Sequence, residues 1–224
     1  MLPFMNGIIY YRLLRDAYVK TALIISGGDY SPVSDKQIYD YVIACDKGVL
    51  YAEKMGIKPD IIMGDFDSYE GNIPKCFEGI IVERHPVMKD DTDTMLAIKH
   101  ALGKGYEHIV ITCALGGQMD HTIANIQSLA YIAEHGGVGE IISEKEHIMT
   151  LTGTVLLRRR DEFSLSLFSL TDKCEGLSIK VAKYNVDNIT LTNKFPLGHG
   201  NSFVEDTVEI SLKSGILLIV ESRL

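Results

Sequence analysis

The sequence predicts an α/β fold, with an N-terminal Rossmann-like parallel-sheet domain over residues 1–147 and a small antiparallel β-sandwich domain over residues 148–224. Two observations predict it. Between Thr21 and about Ser143, short β-branched apolar runs alternate with stretches whose apolar residues recur at helical spacing, which is typical of a parallel α/β sheet. After Thr150 the apolar period becomes two, which is typical of antiparallel strands with one face on a core.

The N-terminal domain is predicted to contain six strands with three helices between them. Asp91 or Thr92 is expected to cap the second helix, and Gly103 and Gly105 are expected to end it, since short polar residues favour caps and glycine favours helix ends. Helices are predicted at Gly48–Met55, Thr94–Leu102 and Thr122–Glu134. The predicted strands are TALIIS at 21–26, YVIAC at 41–45, DIIMG at 60–64, GIIVE at 79–83, HIVITC at 108–113 and GEIIS at 139–143.

Four strands are predicted from the apolar pattern of the C-terminal domain. In three of them apolar residues alternate with polar ones, so that one face is expected on a core and the other in solvent. The fourth, Ile216–Val220, is apolar throughout and follows the turn glycine Gly215, so it is expected to be buried on both faces. The alternating sets are Phe163, Leu165 and Leu167; Leu177, Ile179 and Val181; and Val208, Ile210 and Leu212.

The charge balance excludes a nucleic-acid binder of the usual kind. The chain has 30 acidic and 22 basic residues, a formal net charge of −8, and residues 1–150 alone carry the whole excess. Binding to nucleic acid needs clustered Lys and Arg to neutralise phosphates, and the one basic run is Arg158, Arg159 and Arg160. We expect small-molecule substrates rather than nucleic acid.

The composition also predicts a cytoplasmic location. No apolar run approaches the roughly 20 residues of a membrane-spanning helix, and no membrane association is expected. The four cysteines are scattered without a C-x-x-C pair, which favours reduced thiols over a disulfide framework or a zinc site. We therefore expect free thiols in a reducing compartment.

Acidic residues gather where the predicted strands end, which is where open α/β sheets bind their ligands. Asp46 follows the second predicted strand, Asp65 and Asp67 follow the third, and Asp93 lies just before a predicted helix. Several carboxylates in one cleft repel one another and need a counter-charge, and Mg²⁺ prefers carboxylates together with phosphate oxygens. The pattern therefore predicts Mg²⁺ and a nucleotide polyphosphate, although any single aspartate could instead be a turn former or a cap.

Glycine pairs supply a feature that complements these acids. Gly27 and Gly28 follow the first predicted strand, and Gly116 and Gly117 lie between a strand and a helix, where backbone N–H groups can bind phosphates. Lys89, just before the KDDTD acids, is a candidate partner for a phosphate. Neither glycine pair lies in a P-loop or in a G-x-G-x-x-G motif.

The order of these motifs along the chain resembles that in the thiamine pyrophosphokinase family. The similarity covers nearly everything from Thr21 onward and continues in LTN at 191–193 and in the closing GILLIVES. The N-terminal stretches that carry it are SGG at 26–28, ACDKG at 44–48, KPDIIMGDFDS at 58–68, KDDTD at 89–93 and ALGGQMDH at 114–121, followed by Asn125.

The resemblance implies a thiamine pyrophosphokinase reaction, in which the diphosphoryl group of ATP moves to the hydroxyl of thiamine and leaves AMP. It implies an ATP-binding catalytic N-terminal domain, a thiamine-binding sandwich and a homodimer. Matched residue by residue, it implies a catalytic acidic set of Asp46, Asp65, Asp67 and Asp93, the last three as metal ligands. It further implies nucleotide contacts at Gly27, Gly28, Lys89, Gly116, Gly117, Gln118 and Asp120, and thiamine contacts at Thr192 and Asn193.

The main departure from the family pattern is Gln118, since the family usually has Arg there and Gln lacks the fixed charge and the bidentate fork. Lys89 or Arg84 could substitute for it. Any ring that stacks on thiamine must be Phe or Tyr because tryptophan is absent, but Phe195 and Phe203 are expected to pack in the sandwich core. Two alternatives stay open: another Mg²⁺-dependent phosphoryl-transfer enzyme, and a non-catalytic sensor of nucleotide or thiamine.

Overall fold

The computed structural model describes residues 8–10, 19–33, 39–66, 73–85 and 91–224, and the structural statements below concern these residues. The chain divides into two compact units. The N-terminal unit is Lys20–Glu144, and the C-terminal unit is Lys145–Leu224 together with β1 (Ile8–Tyr10) from the start of the chain. The predicted fold class, a parallel-sheet α/β domain and a separate antiparallel sandwich, is confirmed.

The N-terminal unit contains all six predicted strands and all three predicted helices. The helices are α1 (Gly48–Met55), α2 (Asp93–Gly103) and α3 (Met119–Glu134), and a short 3₁₀ turn covers Lys75–Phe77. No helix among the described residues is both long and apolar enough to cross a membrane. The strands are β2 (Thr21–Ile25), β3 (Tyr41–Cys45), β4 (Ile61–Gly64), β5 (Ile81–Arg84), β6 (His108–Thr112) and β7 (Val138–Ile142).

These six strands form one parallel sheet in the order β7-β6-β2-β3-β4-β5. From β2 the chain first builds outward to β5, and then it returns to the other side of β2 with β6. The strand order therefore reverses between β2 and β6, and the carboxyl ends of these strands form the crevice in which such sheets bind ligands.

Burial explains why β2 and β6 are continuous apolar runs rather than alternating ones. All five residues of each strand are buried, as expected for central strands with helices on both faces. The core on the α1 face is built mainly of aliphatic side chains from the strands and the helix: Leu23, Ile25, Val42, Ala44, Val49, Ala52, Met55, Ile62 and Val110.

The C-terminal unit contains two sheets that face each other across an apolar core. One sheet has the order β1-β9-β13-β11-β12, and in the other β10 and β8 flank β14 in antiparallel pairs. The strands are β8 (Glu146–Leu151), β9 (Thr154–Arg158), β10 (Phe163–Ser169), β11 (Lys173–Lys180), β12 (Val186–Thr192), β13 (Thr207–Ser211) and β14 (Leu217–Arg223).

The period-two pattern forms the core of this sandwich. Alternate residues such as Leu165 and Leu167 on β10, and Val208 and Ile210 on β13, are buried in the same cluster. On β14 the three successive residues Leu217–Ile219 are all buried, so the predicted strand with two covered faces is confirmed.

The boundary between the units differs from the predicted one. The C-terminal unit begins at Lys145 rather than at residue 148, and it includes β1, which the sequence assigned to the first domain. The reason is backbone pairing, because β1 lies parallel to β9 with Ile8 opposite Thr154. A pairing across more than 140 residues leaves no local signal in the sequence.

A glycine that packs against β2 gives a test of this fold. A Cβ at Gly48, the first residue of α1, would collide with the carbonyl oxygen of Ile25, whereas a Cβ at Gly103 would have nothing within 4 Å. Gly48→Ala should therefore lower the free energy of unfolding by roughly 1–3 kcal/mol, the usual cost of overpacking. Gly103→Ala, the matched control, should leave it unchanged or raise it slightly, as measured by urea unfolding. Equal stability of the two variants would contradict the packing described.

Candidate functional site

Three carboxylates meet at the carboxyl edge of the parallel sheet. Asp46 follows β3, Asp65 follows β4 and Asp93 is the first residue of α2. One side-chain oxygen of each lies within 4.8 Å of the others, and all three side chains are partly buried. The structure thus brings together three of the four predicted acids, and the fourth, Asp67, lies outside the described residues.

Backbone geometry explains why these acids converge. β3 and β4 pair in parallel with Cys45 opposite Met63, so the residues that follow the two strands emerge side by side. The hydroxyl of Thr92 accepts a hydrogen bond from the backbone N–H of Met95 at 3.1 Å and fixes the start of α2. Asp93 then lies in the first turn of α2, where the helix dipole favours a negative charge.

Backbone groups at the end of β4 and just after it hold Asp46 in place. Its Oδ1 accepts a hydrogen bond from the backbone N–H of Phe66 at 3.2 Å, and its own N–H donates to the carbonyl of Met63 at 3.0 Å. The backbone of Gly64 packs against the Asp46 carboxylate, and a Cβ at Gly64 would collide with Asp46 Oδ1. Gly64 is therefore a positioning residue that sequence reasoning missed, although its place just before Asp65 was a usable signal.

The backbone is strained at three strand ends near these acids. Asp46, Phe66 and Cys113 have positive φ angles of 45°, 61° and 55°, which side-chain-bearing residues rarely adopt. Such outliers persist only where surrounding contacts impose them, and they concentrate at functional sites. They follow β3, β4 and β6, so the strain lies along the edge that carries the carboxylates.

The electrostatics of the cluster call for a cation. Burial, a hydrogen bond with Asp93 and the charges of Asp93 and Asp65 raise the pKa of Asp46 from 3.8 to about 7, and the Phe66 N–H opposes the rise only in part. Two unit charges about 4 Å apart repel by roughly 4 kcal/mol at an effective dielectric constant near 20. Oxygen ligands in this number suit a hard divalent cation such as Mg²⁺.

The loops that carry the two glycine pairs are hydrogen-bonded to each other at the point where the strand order reverses. Gly28 N–H donates to the carbonyl of Cys113 at 2.7 Å, and Asp29 N–H donates to the carbonyl of Leu115 at 2.8 Å. A Cβ at Gly28 would approach the Leu115 carbonyl oxygen to 2.6 Å, so this close pairing requires glycine. Gly27 is exposed beside it.

The second glycine pair forms an exposed turn before α3. Gly116 and Gly117 have φ angles of 76° and 64°, and Gln118 is the N-cap of α3 without a side-chain hydrogen bond to the helix. The carboxylate of Asp120 accepts a hydrogen bond from the backbone N–H of His121 at 2.8 Å. The turn and the start of α3 can therefore bind an anion through backbone groups.

Asn125 anchors this turn from inside the unit. Its side-chain N–H donates to the carbonyl of Ala114 at 2.8 Å, and the residue is buried. The resemblance matched Asn125 without assigning it a role, and its hydrogen bond shows that it fixes the loop. Lys89, the predicted phosphate partner, lies outside the described residues.

In the C-terminal unit, Thr192 ends β12 and Asn193 follows it. The Asn193 side-chain N–H donates to Asp172 Oδ1 at 3.4 Å, and both residues line an open groove of about 570 Å³. Phe203 is buried as expected, but the expected burial of Phe195 is wrong, since 66% of this residue is exposed. Phe195 lies in the turn after β12 rather than on a core-facing strand position, which explains the difference.

Two family models match the chain. The model described as Thiamin pyrophosphokinase, catalytic domain, matches residues 36–137, and the model described as Thiamin pyrophosphokinase, vitamin B1 binding domain, matches residues 154–217. The thiamine pyrophosphokinase of Bacillus subtilis (strain 168) is 27% identical over 212 residues, which cover 91% of this chain and 99% of that protein.

Solved structures show the same similarity. The crystal structure of the Bacillus subtilis thiamine pyrophosphokinase aligns with a TM-score of 0.82 and 25% identity, over 92% of this chain and 100% of that one. The thiamin pyrophosphokinase of Candida albicans aligns with a TM-score of 0.76 over 99% of this chain and 95% of that one. Its 15% identity makes this second similarity one of fold alone.

The raised pKa of Asp46 gives a test of the carboxylate cluster. The folded chain holds this proton up to about pH 7 and the unfolded chain only to about 3.8, so the metal-free protein should lose stability as pH rises between these values. Asp46→Asn should remove that loss and raise the free energy of unfolding at pH 8 by roughly 2 kcal/mol, after a discount for partial exposure, with little gain at pH 4.

The measurement is urea unfolding in EDTA at the two pH values. Asp161→Asn, whose side chain is 91% exposed, is the matched control and should change stability equally at both. An Asp46→Asn variant that gains no more at pH 8 than at pH 4 would contradict the cluster.

Proposed function

The chain belongs to the thiamine pyrophosphokinase family, and on that premise we propose that it transfers the diphosphoryl group of ATP to thiamine, giving thiamine diphosphate and AMP. The observation that carries this proposal is the meeting of Asp46, Asp65 and Asp93 at the carboxyl edge of the sheet. A primary hydroxyl is a weak nucleophile, and the transfer needs fixed geometry, charge on the phosphates and a proton acceptor.

These tasks are divided among residues of the N-terminal unit. The turn at Gly116 and Gly117 and the start of α3 bind phosphate oxygens through backbone N–H groups, and Gly27 and Gly28 keep the neighbouring loop close to the sheet edge. The thiamine hydroxyl oxygen attacks the β-phosphorus, the bond from that phosphorus to the oxygen bridging it to the α-phosphate breaks, and AMP leaves. The hydroxyl proton passes to a carboxylate of the site, with Asp93 and Asp67 as the candidate bases.

Mg²⁺ fits the carboxylate cluster, with Asp65 and Asp93 and also Asp67 as its proposed ligands. The support is that the described oxygens lie within 4.8 Å of one another and need a counter-charge. When bound, Mg²⁺ neutralises charge on the transferring phosphates. Thr192 and Asn193 are the proposed thiamine contacts, since a hydroxyl and an amide offer both donors and acceptors to a polar ring.

We expect the protein to convert ATP and thiamine into AMP and thiamine diphosphate in the presence of Mg²⁺. Asp65→Asn keeps the shape of the side chain but removes its charge, so turnover should fall at least about 100-fold, or about 2.7 kcal/mol. The exposed Asp161→Asn should keep full turnover. ADP or free phosphate as the product would instead indicate another phosphoryl-transfer enzyme, and binding without turnover would indicate a sensor.

We also propose a homodimer and a cytoplasmic location. The location is supported by the thiols, because the four cysteines, all of them among the described residues, form no disulfide with one another. The dimer is supported by large apolar side chains that the sandwich loops expose, since exposed apolar surface commonly marks an interface. Those more than half exposed are Tyr184, Phe195, Leu197 and Val204.

The mass in solution should be twice the 24.9 kDa of one chain. Phe195→Glu puts a charge on the exposed apolar surface and should shift the mass toward that of the monomer. Leu224→Glu alters an even more exposed side chain, at the chain end, and should leave the dimer intact. Light scattering on a sizing column measures both, and a monomeric unsubstituted protein would overturn the dimer proposal.

A further inference from the structure

Arg84 is a cation at the edge of the carboxylate site to which the reaction above assigns no role. We propose that Arg84 binds the phosphates of the nucleotide and supplies the positive charge that Gln118 lacks. The proposal rests on the proposed function, and it names the residue that gives the acidic site its affinity for a triphosphate.

The position of Arg84 follows from strand register. It is the last residue of β5 and pairs with Gly64, the residue that lies under Asp46 and directly before Asp65. Neighbouring strands are about 4.8 Å apart, so the Arg84 side chain starts one strand away from the carboxylates. A side chain of this length reaches ligands bound at the same edge of the sheet.

The guanidinium of Arg84 is oriented by a contact with an aromatic ring. Its central carbon lies 4.7 Å from the centre of the Phe66 ring, which is itself only 6% exposed. Cation–π stacking of this kind leaves the N–H donors at the edge of the guanidinium plane available to an anion. The same Phe66 donates its backbone N–H to Asp46, so one residue orients both Arg84 and a carboxylate of the site.

Arg84 also has no carboxylate partner among the described residues. Three arginines of the C-terminal unit do have one, in the pairs Arg159–Asp161, Arg160–Glu221 and Arg223–Glu162. On α2, Lys99 is already paired with Asp91 at 2.6 Å. Arg84 is thus an exposed, oriented guanidinium whose charge no described carboxylate neutralises, and it lies within residues 1–150, which carry the whole net charge of −8.

A triphosphate needs such a charge on this protein in particular. Gln118, at the N-cap of α3, offers only neutral groups to phosphates, and its side chain makes no hydrogen bond to the helix. Arg binds phosphate oxygens through two parallel N–H donors, which neither Gln nor Lys can reproduce. An arginine introduced at 118, in the turn after β6 and four strands away from β5, should therefore add affinity for the nucleotide at a second point of the same sheet edge.

The test compares four variants: Arg84→Gln, Arg84→Lys, Gln118→Arg, and the double variant with Arg84→Gln and Gln118→Arg. The probes are a non-hydrolysable ATP analogue with Mg²⁺ for the dissociation constant, and ATP with thiamine for steady-state kinetics. Arg158→Gln is the matched control, an exposed arginine in the other unit. Circular dichroism and thermal unfolding check that every variant is folded.

Arg84→Gln should raise the dissociation constant of the analogue and the KM for ATP at least tenfold, with the KM for thiamine within twofold. Arg84→Lys should lie between it and the unsubstituted protein, and the control should change nothing. The dissociation constant of the double variant should return to within threefold of the value for the unsubstituted protein, because the arginine at 118 restores one positive charge to the site.

Unchanged affinity for the analogue in folded Arg84→Gln would overturn the proposal. Equal rises in both KM values would overturn it too, as would a double variant no better than Arg84→Gln alone. If the unsubstituted protein made no thiamine diphosphate, the proposed function would fail, but the dissociation constants would still decide the role of Arg84. If turnover were normal and only these shifts were absent, the Arg84 proposal alone would fail.

Discussion

Mutual repulsion among three carboxylates is the constraint on which the rest of the N-terminal unit depends. Asp46, Asp65 and Asp93 come from two strand ends and one helix start, and their oxygens lie within 4.8 Å of one another. Without a cation, three ionised carboxylates this close together would destabilise the folded state. Their repulsion is reduced because Asp46 stays protonated up to about pH 7. The site is thus ready to exchange a proton for a cation.

Holding the acids together requires rigid support, and the chain provides it through backbone rather than through other charges. Gly64 gives the space for Asp46, Phe66 donates an N–H to it, and Thr92 caps the helix that carries Asp93. The positive φ angles at Asp46 and Phe66 belong to the same support. Such strained backbone persists at the carboxyl edge of the sheet because the buried strands hold it in place.

The two units carry different kinds of chemistry. The N-terminal unit combines the acids with the open turn at Gly116 and Gly117, which suits a metal and phosphates. The C-terminal unit is neutral overall and offers Thr192, Asn193 and exposed aromatic side chains, which suit a flat polar ring. This division agrees with the match of a catalytic model to residues 36–137 and of a vitamin B1 binding model to residues 154–217.

The sequence by itself determined the candidate acids, the elements of the N-terminal unit and four strands of the C-terminal unit, because apolar period and position after a strand are local properties. It did not predict β1, β8, β9 or β12. It could not determine which acids meet, why Gly64 must be glycine, that Arg84 stacks on Phe66, or that Phe195 is exposed. It also could not assign β1 to the C-terminal unit. These features depend on contacts between residues distant in the chain, and only the folded backbone brings such residues together.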